Sequence, residues 1–172
     1  PLSKLFVDEI QPKTTGGIIN AKGMVIQVKA ASDTEVRTTT SQTFVIGSNT
    51  AQVLITPSSL ASKFIITCCG VASSNDGNDG WFTSIFRNST NLGQSSTGLA
   101  HGNSVPGVSI NFMPFSMTIL DSPSTTSDIT YGFQFRSYNF DGDAFAITRI
   151  GQHQGGTTNS IPTHITVMEI GG

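Results

Sequence analysis

Charge is scarce in this chain of 172 residues: Asp, Glu, Lys and Arg make up 12% of it and the net charge is −2. Without an excess of cations there is nothing to displace counterions from a phosphate backbone, so a nucleic-acid partner is not expected. A polybasic patch for a membrane surface is missing too. Cysteine is confined to the neighbours Cys68 and Cys69. Adjacent strand residues face opposite ways, so these two do not pair, and they read as small core-type side chains rather than a disulfide framework. No run approaches the roughly 18 apolar residues of a membrane-spanning helix, and the first residues lack the basic and apolar blocks of a signal peptide. The chain is therefore expected to be made, and to stay, soluble. Helical periodicity is absent as well, and no unit of about 20–50 residues repeats.

What is present is hydroxyl and β-branched. Ser and Thr number 43, and with 37% hydrophobic residues the chain is too apolar for the disorder signature. Ile and Val number 27 against 16 for Leu and Ala, alongside 11 Phe. That bias belongs to pleated sheets. One domain of this length buries roughly 70% of its unfolded surface and needs no staples.

Alternation and turn residues divide the chain. Residues 1–22 hold two short apolar segments around the break Gln11-Pro12-Lys13-Thr14-Thr15-Gly16 and read as an arm, with Leu5, Phe6, Val7 and Ile10 its docking residues. Residues 23–172 read as the β domain. Met24–Ala30 alternates, with Met24, Ile26 and Val28 expected inward and Gln27 and Lys29 outward. Glu35–Ile46, Ala51–Thr56, Lys63–Val71, Trp81–Arg87, Val108–Leu120, Ile129–Tyr138, Phe145–Ile150 and His164–Ile170 follow as strands. Ala72–Gly80 and Asn91–Gly107 are expected as surface loops, the second glycine-rich and poor in large apolar residues. About eight or nine strands of this kind suggest a jelly-roll-like antiparallel β-sandwich.

Candidate chemistry is thin. Asp76-Gly77-Asn78-Asp79-Gly80 and Asp141-Gly142-Asp143 cluster carboxylates, but Asp79 falls one residue early for a calcium loop, and turn chemistry explains both. Among the acids, Asp121 and Glu169 are the strand-end pair a glycosidase would use, yet no spacing singles them out, so no catalytic residue and no enzyme activity is expected. His101, His153 and His164 form no ligand pair. Only Gln152-His153-Gln154 offers a histidine that a threefold axis would multiply, and no metal or other cofactor is expected. Ser104 misses a nucleophile elbow by one residue, and Asn88-Ser89-Thr90 is a chance sequon. Asn75, Asp76, Asn78, Asp79 and Trp81 form a candidate ligand loop, because aromatics beside Gly/Asn/Asp turns make sugar platforms; Tyr138-Asn139-Phe140 is a second such place.

Four segments together carry a resemblance. Ile55-Thr56-Pro57-Ser58-Ser59-Leu60-Ala61-Ser62-Lys63-Phe64 resembles the "ITPSS..SK" element of a module found in virion structural proteins and fibres of marine bacteriophages, cyanophages especially. Phe86-Arg87-Asn88-Ser89-Thr90-Asn91-Leu92-Gly93 is similar to its "LRGST.(I/L)G" strand and turn, with Asn88 where the family usually has Gly. Leu120–Tyr131 is similar to its "LDSPsTTs.TTY" loop, and Ile165–Ile170 to its closing "ITLMEI" strand. Leu5-Phe6-Val7-Asp8-Glu9-Ile10-Gln11 is like the "LKVDTIQ" segment that precedes the module, although the family's long fibre shaft has no counterpart in the short arm. The resemblance implies a jelly-roll-like domain that trimerises on the particle surface, docked on another virion protein. Tyr131, Phe133 and Phe135, alternating on one strand, are the expected trimer interface. A receptor-binding fibre tip that recognises host surface glycan through the Ala72–Gly80 and Asn91–Gly107 loops is the alternative.

Overall fold

The computed structural model describes residues 22–74, 80–103, 111–138, 148–150, 152–153 and 156–172. The arm, including Leu5, Phe6, Val7 and Ile10, lies outside them, as do Asn75, Asp76, Asn78 and Asp79, residues 139–147 and part of the glycine-rich segment.

The described chain is all β. Fourteen strand segments fill eight strand positions in two facing sheets, apart from one small hairpin. The first position is β1 (Val25–Asp33) continued by β2 (Arg37–Thr39), and the second is β3 (Val45–Ile46) continued by β4 (Gln52–Ile55). Next come β5 (Lys63–Ser74), β6 (Gly80–Arg87), and β7 (Thr90–Asn91) with β8 (Ala100–Asn103). Then follow β9 (Asn111–Asp121) and β10 (Ile129–Tyr138). The eighth position is shared by β11 (Thr148–Ile150) and β14 (Thr163–Ile170), with the hairpin of β12 (Gln152–His153) and β13 (Gly156–Ser160) between them.

Pairing is antiparallel throughout. β5 carries β9 along one edge and β14 then β11 along the other, with β1 and β2 outside those; the order of positions is 1-8-3-6. β10 carries β6 on one edge and β4 then β3 on the other, with β7 and β8 beyond β6; the order is 2-7-4-5. Successive positions alternate between the sheets except the fourth and fifth, which are neighbours in the second sheet, in the manner of a jelly roll.

The expected alternation holds where a strand is central. Phe64, Ile66, Cys68 and Ala72 of β5 and Ile165 and Val167 of β14 turn inward against Ile129, Tyr131, Phe133 and Phe135 of β10. Cys68 is buried and Cys69 exposed, on opposite faces as expected. Tyr131, Phe133 and Phe135 keep only 0%, 2% and 1% of their surface. They are the core of a single chain, so the expectation that they form a trimer interface is corrected: the opposite sheet of the same protomer covers them. Burial of each such side chain contributes about 1.5–3 kcal/mol.

β1 is also corrected. Val28 is 55% exposed and Met24 is exposed, while Gln27 and Lys29 occupy the inward positions. This is an edge strand, and its inward side chains serve polar partners across the gap between the sheets: Gln27 donates to Thr56 O and to Glu169, and Lys29 Nζ donates to Leu54 O at 2.9 Å.

The segment expected as a long loop at Asn91–Gly107 instead contains the end of β7 and all of β8 among its described residues. Its glycines are there for close approach. Gly98 has φ +66°, and a Cβ on Gly102 would meet the Trp81 ring at 2.5 Å.

The antiparallel order gives the sandwich two poles. Both ends of the described chain lie at one pole, where Gly23 N–H donates to Gly171 O at 2.7 Å. The turns after β4, β6 and β9 lie there too. The turn after β2 and the flanks of residues 75–79, 104–110 and 139–147 share the opposite pole.

The terminal pole is closed by carboxylates. Glu169 is fully buried and accepts from Ser58 N–H at 2.7 Å, the Ser58 and Ser62 hydroxyls at 2.6 Å each, and Gln27 Nε2 at 2.5 Å. Burial alone would raise its carboxyl, but those donors outweigh it and hold the group below its ordinary value. Asp121 accepts both oxygens' worth of bonds from Arg87 Nη1 at 2.8 Å and one from the Tyr131 hydroxyl at 2.7 Å. Asn88 adopts φ +53°, a region natural to glycine and tolerated by Asn, and its Oδ1 accepts from Thr130 N–H at 3.0 Å.

Glu169→Gln keeps the shape and removes the charge, placing an amide N–H against groups that themselves donate. We expect a loss of about 2 kcal/mol at neutral pH, or roughly 4–8 °C in Tm. A carboxyl lowered by folding stabilises above its unfolded value, near 4.5, and that stabilisation is lost as pH falls through the lower folded value. Thermal melts of both proteins from pH 7 to pH 3 should therefore converge in acid; a gap unchanged across that range would refute the assignment.

Candidate functional site

Away from the core, polar and aromatic side chains gather on the outer face of the second sheet, near the pole opposite the termini. Register builds it. Phe82 of β6 stands opposite Arg136 of β10 on one side and His101 of β8 on the other. All three point outward, because Trp81, Thr83 and Ile85 take the inward positions of β6.

Arg136 is buried on this face and is held without a carboxylate among the described residues. Its guanidinium lies 4.4 Å from the Phe82 ring centroid, 5.7 Å from Phe44 and 5.8 Å from Tyr138. Nε donates to Ser96 O at 2.8 Å, Nη2 to the same oxygen, and Nη1 to Gln42 O and Ser137 O at 3.2 Å each. One cation thus ties the turn after β2 and the turn between β7 and β8 onto the sheet. Burial lowers its pKa from the ordinary arginine value, without bringing neutrality near physiological pH.

Beside this clamp is an open cleft of about 370 Å³ lined by Phe82, Thr97, His101, Asn103 and Tyr138. The rings of Phe82 and His101 stack at 5.8 Å and 30°, and Tyr138 meets Phe82 edge-on at 5.1 Å and 79°. His101, Asn103 and Thr97 are exposed. The arrangement is a rigid ring floor with a rim of side chains that both donate and accept hydrogen bonds.

The residues singled out from the sequence are distributed differently. Trp81, the aromatic of the candidate ligand loop, is buried with its ring 6.1 Å from Phe115, so it belongs to the core and is corrected as a platform. Its Nε1 has no hydrogen-bond partner among the described residues. Tyr138, the aromatic of the second place, does reach the cleft. Asp121 and Glu169 share a row with Phe64, which is fully buried between them, and both carboxylates are occupied by donors; they are structural bonds, not a cleft-facing pair. No group of three or more His, Cys, Asp or Glu side chains that could hold a metal occurs among the described residues. Asp141, Asp143 and the side chain of His153 lie outside them. Sequence reasoning placed glycan recognition on the Asn91–Gly107 segment, which holds His101 and Asn103, but did not join these two to Phe82 and Arg136, because their proximity is cross-strand. The usable signal was an arginine on the outward face of an otherwise aromatic strand.

No protein-family model matches the chain, and no curated protein matches it.

Arg136→Lys retains charge but loses the planar stack and the fork that reaches two segments at once. The expected cost is about 1–2 kcal/mol. Hydrogen exchange should accelerate at the N–H groups of Gly98 and Leu99, which donate within and beneath the Ser96 turn. Unchanged protection there would show that the turn is held by other bonds.

Proposed function

We propose that the chain is a non-enzymatic structural protein on the surface of a bacteriophage virion, trimeric and docked through its N-terminal arm on another virion protein. The observation that carries this reading is the polarity of the sandwich. The arm joins the domain at Gly23, beside Gly171, at the pole sealed by Glu169 and Asp121. The turns of the opposite pole then face away from the attachment point. The motif resemblance adds the particle context, since its segments beginning at Ile55, Phe86, Leu120 and Ile165 reach that sealed pole.

Trimerisation rests on a different surface from the one expected. On the outer face of the first sheet, Val28, Met168, Ile65 and Leu120 stand in register across four strands. Val28 and Leu120 are 55% and 59% exposed. The next row, Ala30, Thr166, Thr67 and Thr118, is uncharged too. An apolar row bordered by hydroxyls is a surface on which identical copies pack without burying charge.

A second reading, the receptor-binding tip of a fibre, is favoured by one specific feature, the aromatic cleft near the outward pole. Copy number on the particle distinguishes the two: a decoration is abundant on the capsid, and a tip is present as a few trimers on the tail.

Light scattering is expected to give about three times 18.1 kDa, with Val28→Asp reducing it to the single-chain mass. Deleting residues 1–17 should leave the melting temperature unchanged and abolish incorporation into particles. A monomeric wild type would overturn the trimer, and truncated protein found on virions would overturn the arm as anchor.

A further inference from the structure

We propose that the cleft formed by Phe82, Thr97, His101, Asn103 and Tyr138 binds a neutral hexopyranose unit of a polysaccharide. The inference deepens the fibre-tip reading and takes from it only that this pole faces outward.

A pyranose offers one face of C–H groups and a perimeter of hydroxyls, each both donor and acceptor. The cleft is complementary on both counts. Its floor is the group of Phe82, His101 and Tyr138 rings, in which Phe82 retains only 8% of its surface and, packed by the Arg136 guanidinium, holds the more exposed His101 and Tyr138 rings in place. A floor already locked before binding costs little further ordering. The rim supplies the Asn103 amide and the Thr97 hydroxyl, each able to donate and accept, and the His101 imidazole, which in its neutral form does both through its two nitrogens.

The described lining selects against ionic ligands. Among the described residues no carboxylate or ammonium lines the cleft, and the donors of the neighbouring Arg136 are directed to the carbonyls of Ser96, Gln42 and Ser137. The volume, about 370 Å³, is at the lower end of small-molecule sites and takes one or two sugar rings. Because the cleft is open along the sheet face, an internal unit of a longer chain can enter without threading.

The test is a titration of the full chain, followed by NMR, with the methyl pyranosides of glucose, galactose, mannose and N-acetylglucosamine at millimolar concentrations. At least one should shift the Asn103 side-chain amide and His101 ring signals in a saturable way. Asn103→Ala, at an exposed position, should weaken that sugar about 5- to 10-fold, as expected for one lost hydrogen bond, with no change in melting. If none of the four sugars shifts those signals, or if Asn103→Ala binds as the wild type does, the proposal is overturned. Arm-dependent incorporation into particles is read separately, so its persistence in that case would leave the virion reading standing.

Discussion

The buried carboxylate of Glu169 is the point where three distant parts of the chain are forced together. An ion with no exposed surface is tolerated only if its lone pairs are filled, and here they are filled by Gln27 from the first strand and by Ser58 and Ser62 from the turn before β5. That requirement fixes the ends of β1, β5 and β14 relative to one another. Alongside it, the Arg87–Asp121 pair joins the two sheets, Tyr131 adds a bond from the core to the same carboxylate, and Thr56 donates to Asp128. The pole is closed by specific polar bonds rather than by apolar packing.

This explains what the motif resemblance is made of. Ser58 and Ser62 of the "ITPSS..SK" element bond to the glutamate of the closing strand, and the arginine after Phe86 bonds to the aspartate of the serine–proline loop. Even the departure at Asn88 follows the same logic, because its positive φ is the conformation that a glycine would supply and its side chain adds a bond to Thr130. Asp121 holds Arg87 from the opposite sheet. These residues specify a fold, and their chemistry is consumed in doing so.

Strands flanked on both sides were legible from the sequence, as β5, β10 and β14 show, because both the alternation and the apolar content come from one buried face. Edge strands were not. In β1 the apolar positions face outward, since an edge position opposite a carboxylate and unpaired carbonyls rewards Gln27 and Lys29 inside. β8 was hidden because its glycine, Gly102, which lets Trp81 approach closely, looks like a loop residue. The aromatics of β10 resemble an interface between chains because one chain's second sheet is invisible in a linear pattern. The cleft was illegible for the same reason: Phe82, His101 and Tyr138 meet through register alone.

What unites fold and function in this account is direction: a sealed pole that carries the arm, and an opposite pole that carries the clamp and the cleft. The most direct measurement is thiol labelling of intact particles carrying Thr40→Cys, at the outward pole, or Thr126→Cys, at the sealed pole, each in a Cys69→Ser background that removes the exposed native thiol. Both positions are exposed in the isolated chain and should label equally there. On particles, Thr40→Cys is expected to react with a maleimide probe while Thr126→Cys is protected; the reverse pattern would contradict the proposed orientation.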